Sequence, residues 1–445
     1  MWIAMKAIIM AGGEGTRLRP LTCDCPKPML RVMDKPVMEY ALRLLKRCGI
    51  EDVAVTLGYL PDLIRDYFGD GERFGVRLRY YVEKEPLGTA GGVAQARDFL
   101  TEPFVVLSGD GVTDLDLNQA AAFHSRCGAE ATLVLKRVDD PLEYGVVVTD
   151  PDGRVRSFHE KPGWGEVLSD AVNTGIYVLQ PEILRRVPEG KPMDFGRELF
   201  PRMVNEGCRV YGYRTNAYWC DIGDLSAYLR VHADAMDGKI ALPELPGSPG
   251  SAVRMPGAQI DRTAVLEAPC YVGGGAQVYA GARVGPYTVV GEGAVLRPNA
   301  GAKRSVLWRG AQLMRGAQAR GCVLATNAML GENAQAYEDS VLGTGASAGA
   351  GATLRQGVRI WPEKFVPDGR RQDSNLVWGS RRDAGFTAGV LPLGAPAEAV
   401  HVTGSMKYDG AQTDRENPAT RRLAQTAGID AEDIPEGSEQ GACHR

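Results

Sequence analysis

No apolar run in this chain approaches the ~18 consecutive residues a membrane-crossing helix needs, so the sequence reads as one with no membrane span. The N-terminus lacks the succession of charged, apolar and small residues of a secretory leader. Met5-Lys6 is read as the natural beginning of the first strand, and Met1 to Ala4 as an upstream extension. Basic residues are scattered, and a net charge of −4 leaves no electrostatic footprint for nucleic acid. Nine cysteines is an odd number, and none has metal-ligand spacing; Cys23 and Cys25 are too close for the usual zinc pair. They read as reduced thiols of a cytoplasmic protein. Two familiar phosphate loops are also missing. No pair of glycines five apart leads into Lys and Ser/Thr, and Gly13 and Gly15 lack the third glycine of a dinucleotide fingerprint, because Leu18 stands in its place.

What the chain does have is the string Gly12-Gly-Glu-Gly-Thr-Arg-Leu-Arg-Pro-Leu-Thr-Cys-Asp-Cys-Pro-Lys-Pro-Met29 directly after the apolar run Ala7 to Ala11. The run reads as a buried strand of an α/β sheet. A glycine-rich turn after such a strand can bring backbone N–H groups close to phosphate, and Arg17 and Lys27 add two permanent cations. The combination fits a nucleoside triphosphate lying over the loop.

Up to about residue 240 short β-branched runs alternate with amphipathic stretches. Val53–Leu57, Val76–Val82 and Phe104–Leu107 read as strands; Met38–Cys48, Thr89–Phe99 and Leu117–Arg126 read as helices. This alternation predicts a mostly parallel sheet with helices on both faces. Ligands in such sheets bind at the carboxyl ends of the strands, an edge that Gly12–Arg17 and Ser108-Gly109-Asp110 would share.

Residues 241–256, Pro/Gly/Ser-rich from Pro243 to Pro256, read as a linker. Beyond them a strict period of six appears. Ile260, Leu266, Val272, Val278, Val284, Val290 and Leu296 hold one phase, with a small or compact residue four positions after each. The phase slips between Ala302 and Cys322 and resumes at Leu324. Hexapeptide periodicity over residues 257–365 predicts a parallel β-helix. The small residues at the fourth position are expected to leave flat outer faces on which coils could stack against a second copy of the chain, which predicts a homo-oligomer. Residues 366–445 lose the period and are expected to form a poorly ordered tail.

The Gly12–Met29 string, with Thr16, Arg17, Pro20, Leu21, Pro26, Lys27 and Pro28, resembles the signature of the sugar-1-phosphate nucleotidylyltransferases over about residues 5 to 240. The resemblance implies an α/β, Rossmann-like mixed sheet followed by a left-handed parallel β-helix. It also implies transfer of a nucleotidyl group from an NTP to a sugar 1-phosphate with Mg²⁺. On the matching positions Arg17 and Lys27 would be catalytic, and Asp110 and Asp221 would hold the metal. Ala11, Gly12, Gly13, Gly15 and Thr16, with Glu83, Pro86, Gly88 and Thr89, would contact the nucleotide. Tyr144-Gly145, Glu160, Lys161, Asn173 and Gly175 would contact the sugar phosphate. Segments Ile360–Lys364 through Asn375–Gly379 resemble the junction in bacterial fusions of a mannose-1-phosphate guanylyltransferase with a phosphohexomutase; the residues after it are too few for such a mutase.

The chemistry suits these residue types. Bringing a sugar phosphate to an α-phosphorus joins two anions, so the site needs cations and a metal rather than an acid–base pair. Mg²⁺ keeps several waters, so one or two carboxylates with phosphate oxygens suffice. Asp110 and Asp221, taken singly, could each cap a helix instead, and Asp114 and Asp116 are read as caps. Glu83 as a carboxylate is acceptor-only and suits the adjacent N1–H and N2–H donors of guanine. That favours GTP, with mannose 1-phosphate. Thymidylyl, uridylyl or adenylyl transfer to glucose 1-phosphate, and a non-catalytic regulatory subunit of the same fold, stay open. Acyl transfer on the β-helix is excluded by its lack of histidine: the five are His124, His159, His232, His401 and His444.

Overall fold

The computed structural model describes residues 5–378. Its first half is a nine-stranded mixed sheet. Seven strands run in the order Val155–Glu160, Gly145–Thr149, Ala171–Leu179, Phe104–Ser108, Lys6–Ala11, Asp52–Leu57, Arg77–Val82. Ala131–Arg137 pairs with Ala171–Leu179 and carries Val210–Thr215 on its far side. Lys6–Ala11 sits centrally between parallel neighbours, which is why Ala7, Ile8 and Ile9 are fully buried and the segment is apolar from Ala7 on. Ala171–Leu179 switches partners along its length. Val172 meets Val146, whereas Tyr177 to Leu179 meet the Phe104 strand, with a register shift between Asn173 and Tyr177. That bulge re-aims Asn173-Thr174-Gly175 at the edge where the strand Phe104–Ser108 ends.

The helix Val37–Arg47 buries Met38, Ala41, Leu42 and Leu45, a spacing of one helical face, against this sheet. Leu117–Arg126 is a helix as expected, and Asp116 caps it by accepting Asn118 N–H at 3.0 Å. Asp114 is no cap; its carboxylate accepts Tyr218 N–H and Ala241 N–H. The helix expected over Thr89–Phe99 is shorter, Gly88–Ala94. Gly91 and Gly92 weaken it, and Gln95 to Arg97 turn with bonds three residues back.

The second half is a coil of three parallel seven-stranded sheets, the arrangement of a left-handed parallel β-helix. Each coil spans eighteen residues where Val278 pairs with Leu296 at positions 278 and 296, and seventeen where Leu296 pairs with Leu313 and Leu313 with Leu330. The phase slip is therefore two separate losses of one residue. The buried ladder steps five instead of six from Ala302 to Leu307 and from Ala319 to Leu324. Both short corners place one residue in the left-handed region, Arg304 (φ 51°) and Gly321 (φ 58°).

Three expectations are corrected. The small residues at the fourth position face inward: Ala276, Ala282, Ala294, Ala300, Ala311 and Ala317 are all fully buried in the coil's core, because a tight corner admits only a short side chain there. They leave no flat outer face. The coil begins earlier than expected, since Ala252–Arg254, inside the segment read as linker, pairs with Cys270–Val272. It also ends later. Thr353–Leu354 pairs with Arg371–Gln372, and Leu376 bridges to Ile360 at the coil's end, so residues 366–378 are coil and not tail. Residues 379–445, the remainder of the expected tail, lie outside the described residues.

One outer face of the coil is apolar. Tyr271, Val289, Val306, Val323 and Val341 stand on one another in register and are buried against Leu18, Leu21, Val32, Ile222 and Tyr228 of the first half. Burying side chains of this size contributes about 1.5–3 kcal/mol each. Trp308 Nε1 donates to Tyr228 Oη (2.9 Å), which donates to Arg31 O (2.7 Å). Among the described residues no helix is long and apolar enough to cross a membrane, and the eight cysteines are free.

Candidate active site

The glycine-rich loop leaves Lys6–Ala11 and turns through Thr16–Leu18, a single 3₁₀ turn. Gly15 makes that turn with φ 65°, and a Cβ there would stand 3.2 Å from both Lys27 Cγ and Thr22 Cγ2. The close approach lays the loop on the stem of Lys27, and Thr22 Oγ1 donates to Gly15 O at 2.8 Å. Lys27 follows Pro26 in a second short turn. Its ammonium lies between the two aspartates, paired with Asp110 and 3.5 Å from Asp221 Oδ1. Asp110 ends the strand Phe104–Ser108 and Asp221 ends Trp219–Asp221, whose partner Gly111–Thr113 follows Asp110 directly. A two-stranded ribbon thus brings together carboxylates 111 positions apart in sequence. Asp221 is no helix cap; Asp224 caps Leu225–Met236.

Burial and then the neighbouring Asp110 carboxylate push Asp221 up to about 6. Burial works against charge on Asp110 and Lys27 as well. Their mutual attraction outweighs it, holding Asp110 below and Lys27 above their ordinary values. Two carboxylates converging on one ammonium form a site that demands positive charge. Oxygen donors of this kind fit a hard divalent cation. Among the described residues no group of three or more His, Cys, Asp or Glu side chains could hold a metal, so its other ligands would be water or phosphate oxygens.

Arg17 is more than half exposed and reaches the same place. Its Nη2 is 3.0 Å from where a Cβ on Gly223 would stand, and its Nη1 is 3.8 Å from Glu143. Glu143 also pairs with Lys161 at 3.6 Å. Sequence reasoning missed Glu143, although it adjoins Tyr144-Gly145. Glu160 is enclosed by two glycines: a Cβ on Gly145 would lie 2.8 Å from its Oε2, and one on Gly196 2.7 Å. Burial, then Asp194, raises the Glu160 carboxyl. Asn173 Nδ2 donates to Tyr177 Oη (2.9 Å) and its Oδ1 accepts Gly175 N–H (3.3 Å), which fixes the bulge beside Ser108. Lys27 therefore joins Asp110 and Asp221, Glu143 joins Arg17 and Lys161, and the two groups meet at Gly223, where a Cβ would stand 3.0 Å from Arg17 Nη2 and 3.3 Å from Asp221 Oδ2.

The remaining residues sit at the other end of the loop. Ala11 is buried, Gly12 is partly covered, and Gly13 and Thr16 are exposed. A Cβ on Gly12 would stand 3.1 Å from Glu83 Oε1. Glu83 Oε2 accepts Leu87 N–H at 3.0 Å, so half of this carboxylate shapes the turn that carries Pro86 and Gly88. Burial raises the Glu83 carboxyl, opposed by that N–H. Thr89 Oγ1 donates to Asp194 Oδ2 (3.0 Å) and accepts Phe195 N–H (2.9 Å), tying this turn to the segment that encloses Glu160.

The sequence profile of the family described as nucleotidyl transferase matches residues 6–238. A UTP–glucose-1-phosphate uridylyltransferase of Synechocystis sp. is 37% identical over 315 residues, 66% of this chain and 81% of that protein. A mannose-1-phosphate guanylyltransferase of Mycobacterium tuberculosis is 36% identical over 282 residues, 63% of this chain and 78% of that protein. A probable mannose-1-phosphate guanylyltransferase 1 of Oryza sativa subsp. japonica is 34% identical over 319 residues, covering 68% and 86%. The profile covers the whole sheet that carries Arg17, Lys27 and both aspartates, and the likeness to the three relatives is greater than one domain alone would give. The chain belongs to the nucleotidyl transferase family and is a nucleotidyltransferase.

Proposed function

We propose that this chain joins an NTP to a sugar 1-phosphate, releasing pyrophosphate. A phosphate oxygen of the sugar phosphate bonds to the α-phosphorus while the bond from that phosphorus to the bridging oxygen of pyrophosphate breaks. The observation that carries the reading is Lys27 held between two partly buried carboxylates beside the loop that bears Arg17. Lys27 draws the incoming phosphate and the α-phosphate together, and Arg17 neutralises charge on the departing β- and γ-phosphates. Asp110 and Asp221 are the residues that would hold Mg²⁺, which supplies further neutralisation of the phosphate oxygens when bound. Lys161 receives the sugar phosphate, and Glu160 accepts sugar hydroxyls.

We favour GTP with mannose 1-phosphate. Glu83 offers acceptors only, and relatives named for that reaction match over most of their length. UTP with glucose 1-phosphate is the second reading, because a relative named for it is at least as similar. Pyrophosphate release measured across GTP, UTP, ATP and dTTP with each sugar phosphate decides between them. No release with any pair would overturn the reaction. Lys161→Ala is expected to raise KM for the sugar phosphate more than it lowers kcat. A homo-oligomer stays part of this proposal, although the coil face that packs on the catalytic half is unavailable to a second copy. Light scattering that gives a monomer at micromolar concentration overturns it.

A further inference from the structure

The outward ladder of the coil carries Tyr271, Val289, Val306, Val323 and Val341, and its next rung is Arg359, in register with Val341. The apolar rungs pack on the catalytic half, whereas the arginine faces the phosphate loop. Its Nη1 donates to Arg17 O at 3.0 Å and to Arg19 O at 2.7 Å. These carbonyls stand at the middle of the Thr16–Leu18 turn and just past its end. The arginine is itself held at both sides: its N–H donates to Asn375 Oδ1 (2.9 Å) and its carbonyl accepts Leu376 N–H (2.9 Å). A second approach crosses the same seam further along the loop, where the Asp24 carboxylate lies beside Thr344 of the coil. Within the catalytic half, Tyr59 Oη holds Cys23 O at 2.7 Å. Between Gly15 and Cys23, then, the polypeptide that aims Arg17 is gripped by its own half at the ends and by the coil in the middle.

We propose that Arg359 is a positioning residue for nucleotidyl transfer. It fixes the backbone of the Thr16–Leu18 turn so that the Arg17 guanidinium, already leaning on Gly223, meets the triphosphate without first ordering a half-exposed loop. The coil is then part of the catalytic apparatus. The catalytic part of this inference rests on the reaction proposed above. The grip on the loop does not.

The test compares the full-length chain with Arg359→Ala, Arg359→Lys and Arg17→Ala/Arg359→Ala, using Arg355→Ala as a control on a neighbouring, exposed rung. In Arg359→Ala, kcat is expected to fall about ten- to a hundredfold, the loss that misplacing a catalytic group by about an ångström can produce. KM for the sugar phosphate should change by less than about threefold. A lysine ammonium can donate to these carbonyls as Nη1 does but on a shorter stem, so it should restore part of the rate. The double variant should be no slower than Arg17→Ala alone, because Arg359 acts through Arg17. Arg355→Ala should match wild type. Independently of activity, amide hydrogen exchange over residues 12–22 should speed up in Arg359→Ala while the buried sheet strands keep their protection. Unchanged exchange there overturns the grip, whether or not the reaction assignment holds. Faster exchange with kcat within about twofold of wild type overturns the positioning role. A wild-type chain that transfers no nucleotide counts against the reaction proposal, and exchange alone then decides whether Arg359 holds the loop.

Discussion

In the coil, Leu296, Leu313 and Leu330 stack directly on one another, each in register with the same position one coil away. In the catalytic sheet, Ile8 lies between Ala54 and Val106, which come from strands far apart in sequence and unlike one another. Both interiors are fully buried at these positions, but they are specified differently. A coil residue's neighbours follow from counting, because each repeat meets only the repeat before and after it. A sheet residue's neighbours follow from topology, which counting does not reveal. The second kind of structure lets non-repeating strand ends gather Lys27, Asp110 and Asp221, the residues on which the proposed chemistry rests.

The largest effects should come from breaking that gathering. Asp110→Asn or Asp221→Asn should cut kcat about a hundred- to a thousandfold, since each removes a charge on which cation binding depends. Lys27→Ala should cost at least about a hundredfold. Circular dichroism would show each fold intact; near-wild-type turnover in any of the three would remove that residue from the site.

Next in size is a cavity in the repeating core. Leu313→Ala should lower unfolding free energy by about 2–5 kcal/mol, because its two stacked leucines cannot collapse onto alanine. Turnover at 25 °C should hardly change. Denaturant titration and steady-state kinetics on one preparation check both halves of that statement; a large loss of turnover without loss of stability would show that Leu313 does more than pack the coil.

Acid should weaken the chain through two buried histidines, both in the catalytic half. His124 packs in the sheet half beside Thr132, and burial lowers it to about 4. His232 lies at the seam, accepting Met33 N–H, and burial lowers it to about 3. The unfolded chain protonates both near pH 6.5 while the folded chain does not, so stability is lost as pH falls. From pH 7 to pH 5 each should remove about 2 kcal/mol. His124→Gln should flatten that dependence in denaturant titrations; an unchanged slope would show that His124 is not one of its sources.

The smallest effect sharpens the comparison within the coil. Gly293 has φ 62° with open space around a prospective Cβ, whereas a Cβ on Gly310, one coil on, would meet Asn327 Oδ1. Gly293→Asn should change stability by less than about 1 kcal/mol, and Gly310→Asn should be clearly worse. Equal melting temperatures would mean that corners do not sense the coil above them.

How far the sequence could be read follows the same division. The coil's period, its ladder and even the slip were visible in the spacing from Ala302 to Leu307 and from Ala319 to Leu324. The side of the corner on which the small residues lie was not, because periodicity gives a repeat and not a direction. Strands at Ala7–Ala11, Val53–Leu57 and Phe104–Leu107 were plain from unbroken apolar runs, and the helix after Gly88 was overextended because two glycines were not charged against it. Lys27, Asp110 and Asp221 were named from a motif resemblance; that they meet depended on the ribbon formed by Gly111–Thr113 and Trp219–Asp221, which has no local signal. Arg359 did carry a signal in its own rung, an arginine where five apolar residues precede it. What it touches lies 340 positions away and is set by docking alone.

Each added coil advances the ladder by one strand spacing, about 4.8 Å. The coil is therefore a ruler laid along the catalytic half, with the phosphate loop at one graduation. Deleting any whole repeat would preserve every inward contact of a β-helix and still carry Arg359 off its mark by a full strand. Repeat proteins usually tolerate a change in repeat number because no single repeat has an address. In this chain one does: the rung that carries Arg359 is set against Arg17 and Arg19 across the seam.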